Sequence, residues 1–163
     1  MTKRWIFPLS LILVLCVVFF MYSRYHVAPG INVDQLSLSG LDGQPVKLQN
    51  YKGKKIALCF GASWCPNCLE EMQDINAVKD KEYSDVDVII ISDEPIEKIR
   101  DFKEKKGYPF TFLKLNVPFN TIGIHSIPTS YIVNRNMEVT KESVGYIDWK
   151  DPSTAQHLKK LME

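Results

Sequence analysis

The sequence predicts an α/β domain, a mixed β-sheet with helices on both faces, set behind an apolar N-terminal segment. Three observations predict it. Two continuous apolar runs, KKIALCF (54–60) and VDVIIIS (86–92), have the character of strands buried on both faces. A segment of helical periodicity follows each of them. Two further short runs near the C-terminus face each other across a turn, as an antiparallel pair does.

From Trp5 to Tyr22 the chain carries no charge over 18 residues. As a helix this run rises about 27 Å, close to the roughly 30 Å hydrocarbon core of a bilayer. Lys3 and Arg4 precede it, which places the N-terminus on the cytoplasmic side and the rest of the chain outside. Trp5, Tyr22 and Tyr25 stand where interfacial aromatics belong. A cleaved signal peptide is the rival, but no small-x-small site follows the run, and Leu15 before Cys16 does not suit a lipid-attachment site. The expected organisation is a signal anchor over 1–26, a linker over 27–35 and one domain over 36–163, held at the extracytoplasmic face of a membrane.

Within the domain, QLSLSGLDGQPVKL reads as a β-hairpin turning at Asp42-Gly43. Pro66 to Lys79 is a helix, opened by Pro66 and striped by Leu69, Met72, Ile75 and Val78. Residues 94–107 form a second helix, with Asp93 or Glu94 as its cap and Gly107 at its end. FTFLKL (110–115) is a short strand. Residues 129–134 and 138–146 pair across Arg135-Asn136. Asp151 and Pro152 open a closing helix. The net charge of +1 gives no electrostatic footprint for nucleic acid. Residues 1–26 hold three of the 20 basic residues and no acid, so the remainder is mildly acidic, at −2.

Chemistry concentrates in FGASWCPNCLEEM (60–72). Cys65 stands at the expected N-terminus of a helix, where unpaired N–H groups and the macrodipole favour a thiolate. Cys68 lies one turn on, on the same side, within reach of a small-ring disulfide. Cys65 is then the attacking thiol and Cys68 the resolving one. A C-x-x-C also serves as half of a zinc site, or as two inert buried residues. Zinc wants four ligands. The only other cysteine of the domain is Cys59, inside an apolar strand, and His26, His125 and His157 have no ligand spacing. No metal and no cofactor is expected. A one-cysteine peroxidase wants a hydroxyl one turn before its nucleophile, and position 62 is Ala62.

The segment FGASWCPNCLEEM, with GIHSIPTSYIVNRNMEVTKESVGY about 60 residues later, resembles the thioredoxin superfamily, and most of all its membrane-anchored TlpA/ResA-type thiol-disulfide oxidoreductases. The resemblance runs from about residue 32 to the C-terminus. It implies a thioredoxin-like fold with an added N-terminal hairpin, a redox-active Cys65–Cys68 pair, and a cis Ile127-Pro128 bond beside Cys65. It implies that Trp64, Ile127, Pro128 and Thr129 frame a groove for the substrate. Glu71 falls where such proteins carry an active-site glutamate; the bland alternative is a first-turns acid facing water beside Glu70. Cys59 departs from the pattern, since it replaces a buried Asp or Asn, and reads as a small buried hydrophobe. The implied partners are thiols and disulfides of exported proteins, with apocytochrome c one possibility, and a membrane thiol-disulfide electron donor. The alternatives are an oxidase or isomerase on the same fold, or a membrane-tethered Cu(I) metallochaperone.

Overall fold

A computed structural model describes residues 6–163. The expected membrane span begins at Trp5, which with Lys3 and Arg4 lies outside the described residues. The first helix, α1, runs over Ile6–His26. Its apolar side chains from Leu11 to Tyr22 stand exposed. Among the described residues, no helix is long and apolar enough to cross a membrane.

Seven strands form one mixed sheet. They are β1 (Leu38–Ser39), β2 (Pro45–Val46), β3 (Lys55–Phe60), β4 (Val86–Ser92), β5 (Thr111–Leu115), β6 (Thr129–Val133) and β7 (Val139–Val144). Their order across the sheet is β2-β1-β5-β4-β3-β6-β7. β1 and β2 pair antiparallel, two residues each, around the Asp42-Gly43 turn. β3, β4 and β5 are parallel neighbours, while β6 runs antiparallel to β3 with Phe60 opposite Thr129. β3 is buried at every residue, as its unbroken apolar run requires.

Three helices complete the domain: α2 (Pro66–Glu82), α3 (Ile96–Lys106) and α4 (Pro152–Leu161). All three pack on one face of the sheet, not on both as the sequence suggested. Ala57, Cys59, Val88, Ile90 and Phe112 meet Met72 and Ile75 of α2, Ile99 of α3 and Leu158 of α4. The opposite face, with Ile56, Leu58, Phe60, Ile89, Ile91 and Tyr131, is covered by Val33, Leu48, Ile124 and their flanking turns. The reason is the strand order. The chain steps from β3 to β4 to β5 in a single direction, and right-handed crossovers then put α2 and α3 on the same side.

The caps behave as simple physics asks, with one exception. The Asp151 carboxylate accepts from the Thr154 N–H at 2.7 Å, and Gly107 ends α3 in the left-handed region. Neither Asp93 nor Glu94 caps α3; its N-cap position is Pro95, and no side chain caps it. Glu94 is instead buried and spent elsewhere.

Candidate active site

The central strand β3 ends at Phe60 and the chain turns into α2 over residues 61–65. Gly61 packs tightly against α2 there: a Cβ at this position would come within 3.2 Å of the Cys68 Cβ and 3.3 Å of its Sγ. Cys65 is the N-cap of α2 and Pro66 its first residue, so Pro66 withholds one of the N–H groups at the helix start. The Cys68 N–H points at Cys65 Sγ, at 3.3 Å. The two cysteines are joined as a disulfide, with Cα atoms 5.3 Å apart. Both side chains are buried, while Trp64 stands 69% exposed beside them.

Because β6 runs antiparallel to β3, its first residues return to the same end of the sheet. The Ile127-Pro128 peptide is cis. The Ile127 carbonyl oxygen lies 3.8 Å from Cys65 Sγ. Pro128 and Thr129 are buried, and the Thr129 hydroxyl donates to the Ser126 carbonyl at 2.7 Å. Of the four residues expected to frame a groove, Trp64 and Ile127 line an open one of about 390 Å³, together with Tyr25, Phe119, His125 and Ser126. Pro128 and Thr129 lie behind that surface and shape the loop.

Glu71 does not face water. It is 2% exposed, and its Oε1 accepts from the Trp149 indole N–H at 2.9 Å and the Ile147 N–H at 3.2 Å. Burial pushes its carboxyl up to about 7, and the two donors only partly oppose that rise. A carboxyl there is poised to give or take a proton near neutral pH. It sits one turn after Cys68 on the buried side of α2. Cys59 is buried on the same face of the sheet, and burial together with the Glu71 charge pushes its thiol far up, so it stays protonated and inert. Ala62 is buried and supplies no hydroxyl near Cys65. Among the described residues, no group of three or more His, Cys, Asp or Glu is placed to hold a metal ion.

Four contributors were not legible as such. The Glu94 carboxylate is 8% exposed and accepts from the Ser63 N–H (2.7 Å), the Ser63 hydroxyl (2.8 Å) and the Ser92 hydroxyl (3.2 Å). It pins the backbone two residues before Cys65. Trp149 and Ile147 reach Glu71 from the loop after β7. The Asp74 carboxylate fastens that loop by accepting from the Tyr146 hydroxyl and pairing with Lys150 at 2.9 Å.

Comparison with known proteins agrees with this geometry. The AhpC/TSA family profile matches residues 28–142. The chain is 31% identical to the thioredoxin-like protein YneN of Bacillus subtilis, over 93% of this chain and 95% of that one. It is 27% identical to the thiol-disulfide oxidoreductase ResA of Geobacillus thermodenitrificans, over 87% and 83% of the two chains. Among solved structures, the exposed lipoprotein thioredoxin Etrx1 of Streptococcus pneumoniae superposes with a TM-score of 0.58 at 29% identity, covering 76% of this chain and 96% of that one.

Proposed function

The chain belongs to the AhpC/TSA family and is a thiol-disulfide oxidoreductase of thioredoxin-like fold, and from that premise we propose that it reduces disulfides of exported proteins. The observation that carries the reading is the Cys65–Cys68 disulfide at the start of α2, beside a cis peptide and an open groove. The direction is supported by two features that offset the help the helix N-terminus gives the thiolate. One N–H is aimed at Cys65 Sγ, Pro66 withholds another, and the Glu71 carboxylate lies one turn beyond Cys68. A weakly stabilised dithiol is a good electron donor, just as a strongly stabilised one makes an oxidant.

The Cys65 thiolate attacks one sulfur of the substrate disulfide, and the other substrate sulfur leaves as a thiolate. Cys68 gives its proton to Glu71 and attacks Cys65 Sγ, and the Cys65–substrate bond breaks to release the second substrate sulfur as a thiolate. Two electrons have passed to the substrate, and Cys65 and Cys68 are left as the disulfide. A membrane protein with its own dithiol returns the electrons. Trp64 and Ile127 contact the substrate backbone in the groove, and Pro128 and Thr129 hold that loop in shape. Residues 1–26 anchor the protein with its N-terminus in the cytoplasm, residues 27–35 link, and residues 36–163 work outside. The exposed apolar surface of α1, the uncharged run from Trp5 to Tyr22 and the basic pair before it support this placement. Among exported proteins, apocytochromes c awaiting haem are the substrate class the resemblance puts forward.

The test is the reduction potential of the Cys65–Cys68 pair, by equilibration against dithiol buffers. A value near or below about −250 mV is expected, on the scale where thioredoxin is about −270 mV. A value between about −120 and −180 mV would make the protein an oxidant or isomerase. In turnover with insulin, Cys65→Ser abolishes reduction and Cys68→Ser accumulates mixed disulfides. Activity retained in Cys65→Ser sinks the mechanism.

A further inference from the structure

Residues 25–33 do not hang free between α1 and the domain. The Ser126 hydroxyl donates to the Tyr25 carbonyl at 3.1 Å, and the Tyr25 ring meets His125 edge-on, with centroids 6.3 Å apart. Four residues on, the Pro29 carbonyl accepts from the Tyr131 hydroxyl at 2.8 Å. Pro29 also rests on Gly123, which has φ +83° and where a Cβ would come within 3.0 Å of the proline ring. Ala28 and Ile31 pack against the core, and Val33 is buried in it. Most of these contacts fall on residues 123–126, which lead into the cis peptide beside Cys65. Tyr25 is itself a wall of the groove that Trp64 and Ile127 line.

We propose that residues 25–33 are a strap that fixes the redox groove at the level of the lipid headgroups. The enzyme then serves disulfides and dithiols that its partners present within that layer. This rests on the membrane-anchor reading given above. The uncharged run ends at Tyr22, and Tyr25 is three residues further along the same helix, about 4.5 Å of rise. The headgroup region adds about 5–8 Å on each side of the hydrocarbon core, so a wall of the groove at Tyr25 lies inside it. Trp64, largely exposed on the same groove, is the side chain type that prefers this interface. A free linker of nine residues would let the domain wander about 16 Å. The strap removes that freedom and leaves one orientation.

Spin-labelled lipids test it on the full chain in vesicles. In a Trp5→Phe background, Trp64 emission is compared with and without lipids that carry a nitroxide on the headgroup. Buried Trp149 serves as the reference, and a Trp5→Phe/Trp64→Phe variant isolates the Trp64 signal. Loss of the greater part of Trp64 emission is expected. A flexible Gly-Ser insertion between His26 and Val27, about twelve residues with a reach of about 20 Å, restores it. Turnover of a soluble disulfide peptide in detergent reports that the insertion variant is folded. Unquenched Trp64 in a chain that floats with the vesicles overturns the strap while leaving the anchor intact. Equal quenching with and without the insertion also overturns the strap. A chain that does not float overturns both.

Discussion

Replacing Trp149 with Phe removes one hydrogen-bond donor from Glu71 and keeps an aromatic ring against Tyr83, with which Trp149 makes an edge-on contact. The lost bond is charge-assisted when Glu71 is ionised, worth about 1.5–3 kcal/mol. It favours only the carboxylate, and 1.36 kcal/mol is one pKa unit, so the carboxyl rises by about one to two units. From about 7 it moves above 8. The Ile147 N–H remains, which limits the shift to the Trp149 share. The assay is a titration of the Glu71 carboxyl by carbon-13 NMR, paired with the pH profile of single-turnover disulfide reduction. Both are expected to move to higher pH together. Glu71→Gln abolishes that limb of the profile, and adding Trp149→Phe to it then changes nothing further. A carboxyl that stays near 7, or a profile that shifts equally without Glu71, refutes the claim that this carboxyl handles the proton of Cys68.

Two other outcomes are expected. Glu71 is raised on folding, so its contribution to stability is fully present below about pH 4.5 and is lost as pH climbs to about 7. Glu71→Gln therefore stabilises the domain at pH 8 by up to about 3 kcal/mol and does nothing at pH 4, as denaturant melts at the two pH values will report. Glu94→Ala leaves the Ser63 N–H and both serine hydroxyls without their acceptor, at a cost of about 2–3 kcal/mol. Lower thermal stability and a slower Cys65 attack are expected together; unchanged alkylation kinetics at Cys65 would remove Glu94 from the support of that loop.

Much of the site was legible because its signals are local. Pro66 after Cys65 announces a helix start, and Met72 and Ile75 of the expected apolar stripe do face the core, while Leu69 and Val78 are only half-buried. The periodicity does not separate Glu71 from its exposed neighbour Glu70; the resemblance singles Glu71 out, and its burial against Trp149 and Ile147 sets it apart. What the local pattern does not carry is who meets whom from far away. Trp149 reaches Glu71 across 78 residues of sequence, and nothing near either residue announces the pair. Glu94 before a proline has the look of a cap, and only its distance in space from Ser63, 31 residues earlier, decides that it is not. The placement of helices on one face follows from strand order, which depends on pairings that no single strand encodes. The cis peptide was legible only through the likeness of two motifs taken together, since a proline before a strand is ordinarily trans.

The pairing of Phe60 with Thr129 works as a ruler. It sets how far the end of one strand stands from the beginning of its neighbour, and so how the cis-peptide loop meets Cys65, whatever lies between them in sequence. The chain spends 62 residues getting from Cys65 to Ile127, and their number does not enter that distance. Segments can be added or removed in the excursion through α3 and β5 without retuning the chemistry, provided the ladder of β3 and β6 holds its register. A slip of one residue along that ladder turns every side chain of β6 to the other face of the sheet. The catalytic centre is thus tolerant of length and intolerant of misalignment, which is where variation in this domain is free to accumulate and where it is not.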